Sequence, residues 1–94
     1  MNRKELVQRI FEKVNDEGLR KKDVEVVLRK FEEAVKEALA DGDEIRLVGF
    51  GTFKVIKKKE KVGRNPQTGE RIRIPAMKAV KFVMGKEMKR LLNT

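Results

Sequence analysis

A chain of 94 residues is long enough for one small domain, which buries only about 60–65% of the surface exposed by its unfolded form. The sequence contains no Cys and no His, which excludes disulfides, thiolate metal sites, histidine-based triads and zinc hydrolases. We therefore expect no catalytic residue, no bound metal and no cofactor. We also expect oligomerisation to supply the core that one chain lacks.

The formal net charge is +9, and it is unevenly distributed along the chain. Residues 1–53 carry 11 Lys and Arg against 12 Asp and Glu, a net charge of −1. Residues 54–94 carry 13 Lys and Arg against 3 Asp and Glu, a net charge of +10. Basic charge confined to one region is typical of a surface that binds a polyanion, with a solvated charged face as the simpler alternative.

The first half of the chain predicts two amphipathic helices. Asn2 is a candidate N-cap, and apolar residues recur at helical spacing from there to Val14. The pattern stops at the turn signal of residues 15–18, and a second helix is predicted from about 21 to 40. Its start is expected to be weak, because Arg20 stands where a capping side chain would be favourable.

From residue 44 onwards apolar residues alternate with polar ones, which predicts half-buried antiparallel strands. The alternation lapses between about 57 and 71, where Lys and Arg dominate around a turn signal at residues 65–69, and the arm is expected at about 57–73. This stretch is interpreted as a long β-hairpin arm. A short third helix is predicted from about 85 to 92.

The predicted fold class is therefore α+β. It consists of two N-terminal helices, a three-stranded antiparallel sheet with a long β-hairpin arm, and a short C-terminal helix. We expect a single domain over 1–94, with a helical dimerisation base at 1–42, the sheet at 43–82 and the C-terminal helix at 83–94. The phenylalanines of the strand region are poorly enclosed in one chain, which favours self-association.

Three short motifs are distinctive: residues 48–53 (VGFGTF), residues 63–70 (GRNPQTGE) and residues 74–76 (IPA), followed by Phe82 and Gly85-Lys86. Together they resemble the family of HU and integration host factor over essentially the whole chain. The resemblance implies an intertwined dimer with a helical base, a sheet saddle and two β-arms. It further implies that these arms grip the minor groove of double-stranded DNA and bend and compact it.

The resemblance also implies roles for single residues. Pro66 is the implied wedge between base pairs, and Arg64 and Asn65 meet base edges beside it. The other implied DNA-binding residues are Lys58, Lys61, Gln67, Arg71, Arg73, Lys78, Lys86 and Lys89. The implied dimer core consists of Phe31, Phe50, Phe53 and Phe82.

Within the family, two possibilities stay open. An HU-like homodimer would bind with little sequence specificity and prefer bent, nicked or flexible DNA, whereas an integration-host-factor-like subunit would form a heterodimer with site preference. The expected location is cytoplasmic and nucleoid-associated with no membrane partner, since no apolar run approaches the roughly 18 residues that span a bilayer.

Two function classes outside the family are disfavoured. A phosphate-binding loop ending at Gly85-Lys86 would need Gly at the position of Val80 and Ser or Thr at the position of Glu87. A single-stranded RNA module is disfavoured because the chain has no Trp or Tyr for base stacking, and its Phe residues lie in apolar patterns.

Overall fold

The structure, a computed structural model, describes residues 1–94, which fall into two compact units, Met1–Glu37 and Ala38–Thr94. The first unit holds helix α1 (Arg3–Val14), a 3₁₀ turn (Asn15–Glu17) and most of helix α2 (Lys21–Ala40). The second unit holds all five strands and the last helix. The α+β class is confirmed. None of the helices combines the length and the apolar composition that crossing a membrane requires.

At the start of each long helix, a side-chain oxygen accepts a hydrogen bond from a backbone N–H. The side-chain oxygen of Asn2 accepts a hydrogen bond from the Glu5 N–H at 2.9 Å, as the sequence predicts. At the start of α2, the Asp23 carboxylate accepts a hydrogen bond from the Arg20 N–H at 2.9 Å. Its negative charge also lies in the first turn, where the helix dipole favours it. This bond satisfies the Arg20 N–H and not the N–H groups of the first turn that a capping side chain would bind, so the weak start stays a prediction.

The helical unit buries little apolar surface. Val7 and Val24 are the only hydrophobic side chains in the whole chain that are buried. Other apolar side chains of this unit line an open groove whose walls include Ile10, Val14, Leu19, Val27, Leu28 and Phe31. A chain with so small a core has little hydrophobic stabilisation of its own, which agrees with the predicted need for a partner.

The strands form two separate antiparallel arrangements. Strands β1 (Ile45–Leu47), β2 (Gly51–Lys58) and β5 (Met77–Met84) form a three-stranded sheet in the order β1-β2-β5. Strands β3 (Lys61–Arg64) and β4 (Arg71–Ile74) pair only with each other. The arm is therefore a distinct ribbon, joined to the sheet through short breaks in both chain directions.

The last strand extends farther than expected. The sequence places the end of the sheet at residue 82, but Val83 and Met84 continue the pairing with β2. Their apolar, β-compatible side chains favour this extension. Helix α3 accordingly begins at Lys86, one residue later than expected, and ends at Leu92.

The turn between β1 and β2 requires glycine at two positions. The Phe50 N–H donates to the Leu47 carbonyl at 2.9 Å, which closes a tight turn with Gly49 at a φ of 85°. Residues other than glycine rarely adopt that φ. At Gly51 the reason is space, because a Cβ would lie 2.5 Å from the Cζ atom of Phe82. Both glycines therefore have a structural role.

We expect Gly51→Ala to lower the free energy of unfolding by about 1–3 kcal/mol, since Phe82 must move to admit the methyl group. Thermal unfolding followed by circular dichroism measures this loss. Gly85→Ala is the matched control, because a Cβ there would come no closer than 3.4 Å to any atom outside the neighbouring residues. Equal stabilities of the two variants would contradict the packing argument.

Candidate nucleic-acid interface

One face of the arm (β3, β4 and the loop between them) carries three arginines. Residues that pair across two strands project from the same side of the ribbon. The register pairs Arg64 with Arg71 and Val62 with Arg73, so all four side chains share this arginine face. Arg64 and Arg71 have no acidic partner within ion-pair distance. Two like charges directly opposite each other destabilise a strand pair, and an anion lying between them would remove that cost.

The opposite face of the arm is mainly apolar. Here Ile72 pairs with Gly63 and Ile74 pairs with Lys61. The side chain of Ile74 lies close over Gly63, where a Cβ would be 3.3 Å from its Cδ1 atom. Ile72 is nearly half exposed, because the two-stranded arm has no core beneath it. The arm thus presents charge on one side and apolar surface on the other.

The loop at the tip of the arm is closed by its own hydrogen bonds. The Asn65 N–H donates to the Glu70 carbonyl at 2.8 Å, and the Gly69 N–H donates to the Asn65 carbonyl at 2.7 Å. The Asn65 side-chain oxygen also accepts from the Gln67 N–H at 2.9 Å. This turn chemistry is typical of Asn followed by Pro and a later Gly. It holds the ring of Pro66 exposed at the end of the arm.

In the sheet, one face is aromatic. Ring centroids lie 4.9 Å apart for Phe53 and Phe82, 5.3 Å for Phe50 and Phe82, and 6.4 Å for Phe50 and Phe53. These distances are those of favourable aromatic contacts. Phe50 and Phe82 nevertheless stay 42% and 41% exposed in the single chain. Exposed aromatic clusters of this kind mark surfaces that a partner covers, and the predicted dimer core includes all three rings.

The fourth phenylalanine predicted for the dimer core lies in the other unit. Phe31 is part of α2, is 44% exposed and lines the apolar groove of the helical unit. Both units therefore expose an apolar surface, and the assignment of these surfaces to a dimer interface stays a prediction.

The other face of the sheet carries basic side chains between apolar ones such as Ile56 and Val83. The register pairs Arg46 with Thr52 and Lys54 with Lys81, opposite to the side that carries the phenylalanines. We name this the basic face. Lys54 and Lys81 are absent from the predicted site residues. The signal that identifies them is the period of two, because each directly follows or precedes a phenylalanine of the aromatic face.

Predicted lysines near the base of the arm fall on different faces. Lys58 pairs with Met77 and shares the basic face with Lys54. Lys78 pairs with Lys57, and this pair lies on the side of the aromatic face. The register thus places Lys58 on the same face as Lys54, and Lys78 on the opposite face.

Helix α3 adds further basic groups. The predicted residues Lys86 and Lys89 are exposed and three positions apart, so they lie on neighbouring parts of the helix surface. Lys86 also lines an open groove together with Arg46 and Arg90. Arg90 was not predicted, and the helical spacing of four from Lys86 is the signal that indicates it.

Comparison with known proteins is decisive for the family. A family model described as "Bacterial DNA-binding protein" matches residues 1–93. The chain belongs to this family. DNA-binding protein HU of Thermotoga maritima is 44% identical over 89 residues, covering 95% of this chain and 96% of that protein. Integration host factor subunit alpha of Pseudoalteromonas atlantica is 40% identical over 95 residues, covering 100% of this chain and 94% of that protein.

Among solved structures, the Anabaena HU of an HU–DNA cocrystal superimposes with a TM-score of 0.89 at 38% identity. The match covers 98% of this chain and 97% of that one. The predicted membership of the HU and integration host factor family is thereby confirmed. Relatives of both names match at similar identity, 44% and 40%, so identity alone does not separate the two branches of the family.

Proposed function

We propose that this chain is an architectural, nucleoid-associated DNA-binding protein, which grips the minor groove with two β-arms and bends and compacts duplex DNA. The observation that carries the proposal is the arm itself, a ribbon with three arginines on one face and Pro66 exposed at its tip. Its relative in the Anabaena cocrystal is an HU bound to DNA. We infer little sequence preference, because the minor groove distinguishes mainly A·T from G·C pairs.

The arm supplies both kinds of contact that a groove offers. Arg64 and Arg71 would bind phosphates or the negative potential of the groove, which also relieves their mutual repulsion. The apolar side chains Ile72 and Ile74 would contact sugars and base edges without needing hydrogen-bond partners. A ribbon with two such faces is able to lie in the groove without leaving charged groups buried and unpaired.

Pro66 is the proposed wedge. Its ring is apolar, and it has no N–H that would be left without a partner between two base pairs. The hydrogen bonds of the tip loop hold it in place before DNA arrives. Unstacking one base step costs a few kcal/mol, which is offset because bent DNA contacts more protein surface.

We propose that the basic face of the sheet contacts the DNA backbone between the two arms. Lys54, Lys81 and Lys58 lie on this face. Phosphate contacts of this kind position the duplex but carry no sequence information. Lys86 and Lys89 of α3 are proposed to contact the flanking backbone.

Association with a second chain is part of the proposal, since two arms require two chains. The exposed phenylalanine cluster of the sheet and the apolar groove of the helical unit are the surfaces that a partner would cover. A second copy of the same chain is the simplest partner, as in an HU-like homodimer. A heterodimer with a different subunit, as in integration host factor, is the alternative.

We expect the affinity for a linear duplex to fall steeply with salt, with log K decreasing by about 0.9 per phosphate contact for each unit of log[salt]. Lys54→Gln should make the slope shallower by about this amount for each phosphate that residue 54 no longer neutralises, while Lys36→Gln in α2 should leave it unchanged. Fluorescence anisotropy at several salt concentrations measures both. A slope near zero for the wild type would overturn the DNA-binding proposal.

We expect Pro66→Ala to reduce DNA bending while it leaves the affinity for linear DNA largely intact, because phosphate contacts dominate affinity and the wedge acts on the bend. Energy transfer between dyes at the two ends of a short duplex measures the bend. Pro75→Ala, at the only other proline of the chain, is the matched control. Unchanged bending in Pro66→Ala would remove this residue from the wedge role.

Native mass spectrometry of the purified chain should show a homodimer. Phe31→Asp should shift the population towards monomer, because a charge would be placed in an apolar interface at high cost. Val48→Asp is the control, since Val48 is 96% exposed and has no place in the proposed interface. A wild-type chain that stays monomeric would instead support the heterodimer alternative.

A further inference from the structure

One ion pair joins the arm to the segment just before it, and it involves a residue proposed to contact DNA. The Arg73 guanidinium donates a hydrogen bond from Nε to the Glu60 carboxylate. Glu60 is one of only three acidic residues after residue 53, in a region with a net charge of +10. The proposed function requires a positive potential at the arm. An acidic residue at this position lowers that potential.

The pair lies at the junction between the arm and the sheet. Glu60 occupies the break between β2 and β3, and Arg73 lies in β4 opposite Val62. Glu60 is two residues before Val62, so it is the diagonal neighbour of Arg73 on the arginine face. The Glu60 carboxylate thus accepts a hydrogen bond from the arginine of this face that lies nearest the sheet.

We propose that Glu60 is a built-in competitor for Arg73, holding its guanidinium in the free protein and releasing it to a DNA phosphate on binding. This inference rests on the proposed function. A phosphate that binds Arg73 side-on needs the Nε–H together with a terminal N–H, and the Nε–H is the donor that the Glu60 carboxylate already holds. Glu60 therefore lowers the affinity of the arm for DNA and sets the charge that the arm presents to it.

The exchange is feasible because the pair is open to solvent. The side chains of Arg73 and Glu60 are 79% and 44% exposed. Exposed ion pairs are weak and screened by salt, so a phosphate reaches Arg73 without unfolding the arm. The pair is thus weak enough to open when a phosphate approaches.

The matched variants are Glu60→Gln and Glu70→Gln. Glu70 lies at the tip of the same arm, and its side chain takes part in no ion pair, so its replacement removes the same charge without freeing an arginine. We expect Glu60→Gln to tighten binding to a duplex about fivefold when both arms of a dimer carry it. Glu70→Gln should have a clearly smaller effect, which reports only on general repulsion.

An Arg73→Gln background separates competition from repulsion. If Glu60 acts through Arg73, Glu60→Gln should change the affinity of Arg73→Gln by no more than Glu70→Gln does. A full effect of Glu60→Gln in that background, or equal effects of the two glutamate variants in the wild type, would overturn the proposal.

A measurement without DNA keeps this test distinct from that of the proposed function. The NMR resonance of the Arg73 Nε–H in the free protein should shift in Glu60→Gln and stay in place in Glu70→Gln. An unchanged resonance in Glu60→Gln would overturn the proposal even if DNA binding is strong. A shifted resonance combined with a flat salt dependence of the wild type would instead overturn the proposed function.

Discussion

The pairing of β2 with β5 is the constraint on which the rest of the second unit depends. It sets Phe53 opposite Phe82 on one face and Lys54 opposite Lys81 on the other. A slip of one residue would exchange the two faces. The aromatic pair, at 4.9 Å between ring centroids, favours this register by about 0.5–1.5 kcal/mol beyond its burial. Repulsion between two solvated lysines is smaller than this gain. The contact between the rings therefore determines the register, and this register places Lys54 opposite Lys81.

Like charges face each other repeatedly from the sheet to the tip of the arm. Lys54 and Lys81, Lys57 and Lys78, and Arg64 and Arg71 are direct cross-strand partners. Each such pair weakens the folded chain slightly. A polyanion that lies along the basic face and the arginine face would remove the cost at the Lys54–Lys81 and Arg64–Arg71 pairs, whereas Lys57 and Lys78 lie on the side of the aromatic face. The arrangement therefore exchanges some stability of the free protein for affinity towards DNA. Arg73 is the one arginine of the arm that has an acidic partner, Glu60 at the junction with the sheet.

Local features were predictable from the sequence because they depend on neighbours along the chain. The bounds of α2 coincide with the prediction, and so does the turn at the tip of the arm, where Asn65, Pro66 and Gly69 determine the backbone. The hydrogen bond from the Arg20 N–H to the Asp23 carboxylate at the start of α2 was not predicted. The strand end at Met84 was also missed, because it depends on pairing with Gly51.

The sequence by itself determined the alternation of helices and strands, the concentration of basic charge after residue 53, and the family. Periodicity, turn chemistry and motif spacing express these within short segments. Only the tertiary structure decided which basic residues share a face. Lys54 meets Lys81, and Glu60 meets Arg73, through strand register and not through closeness in sequence. A one-residue change of register would alter each of these contacts, and such non-local pairing is invisible in any local pattern.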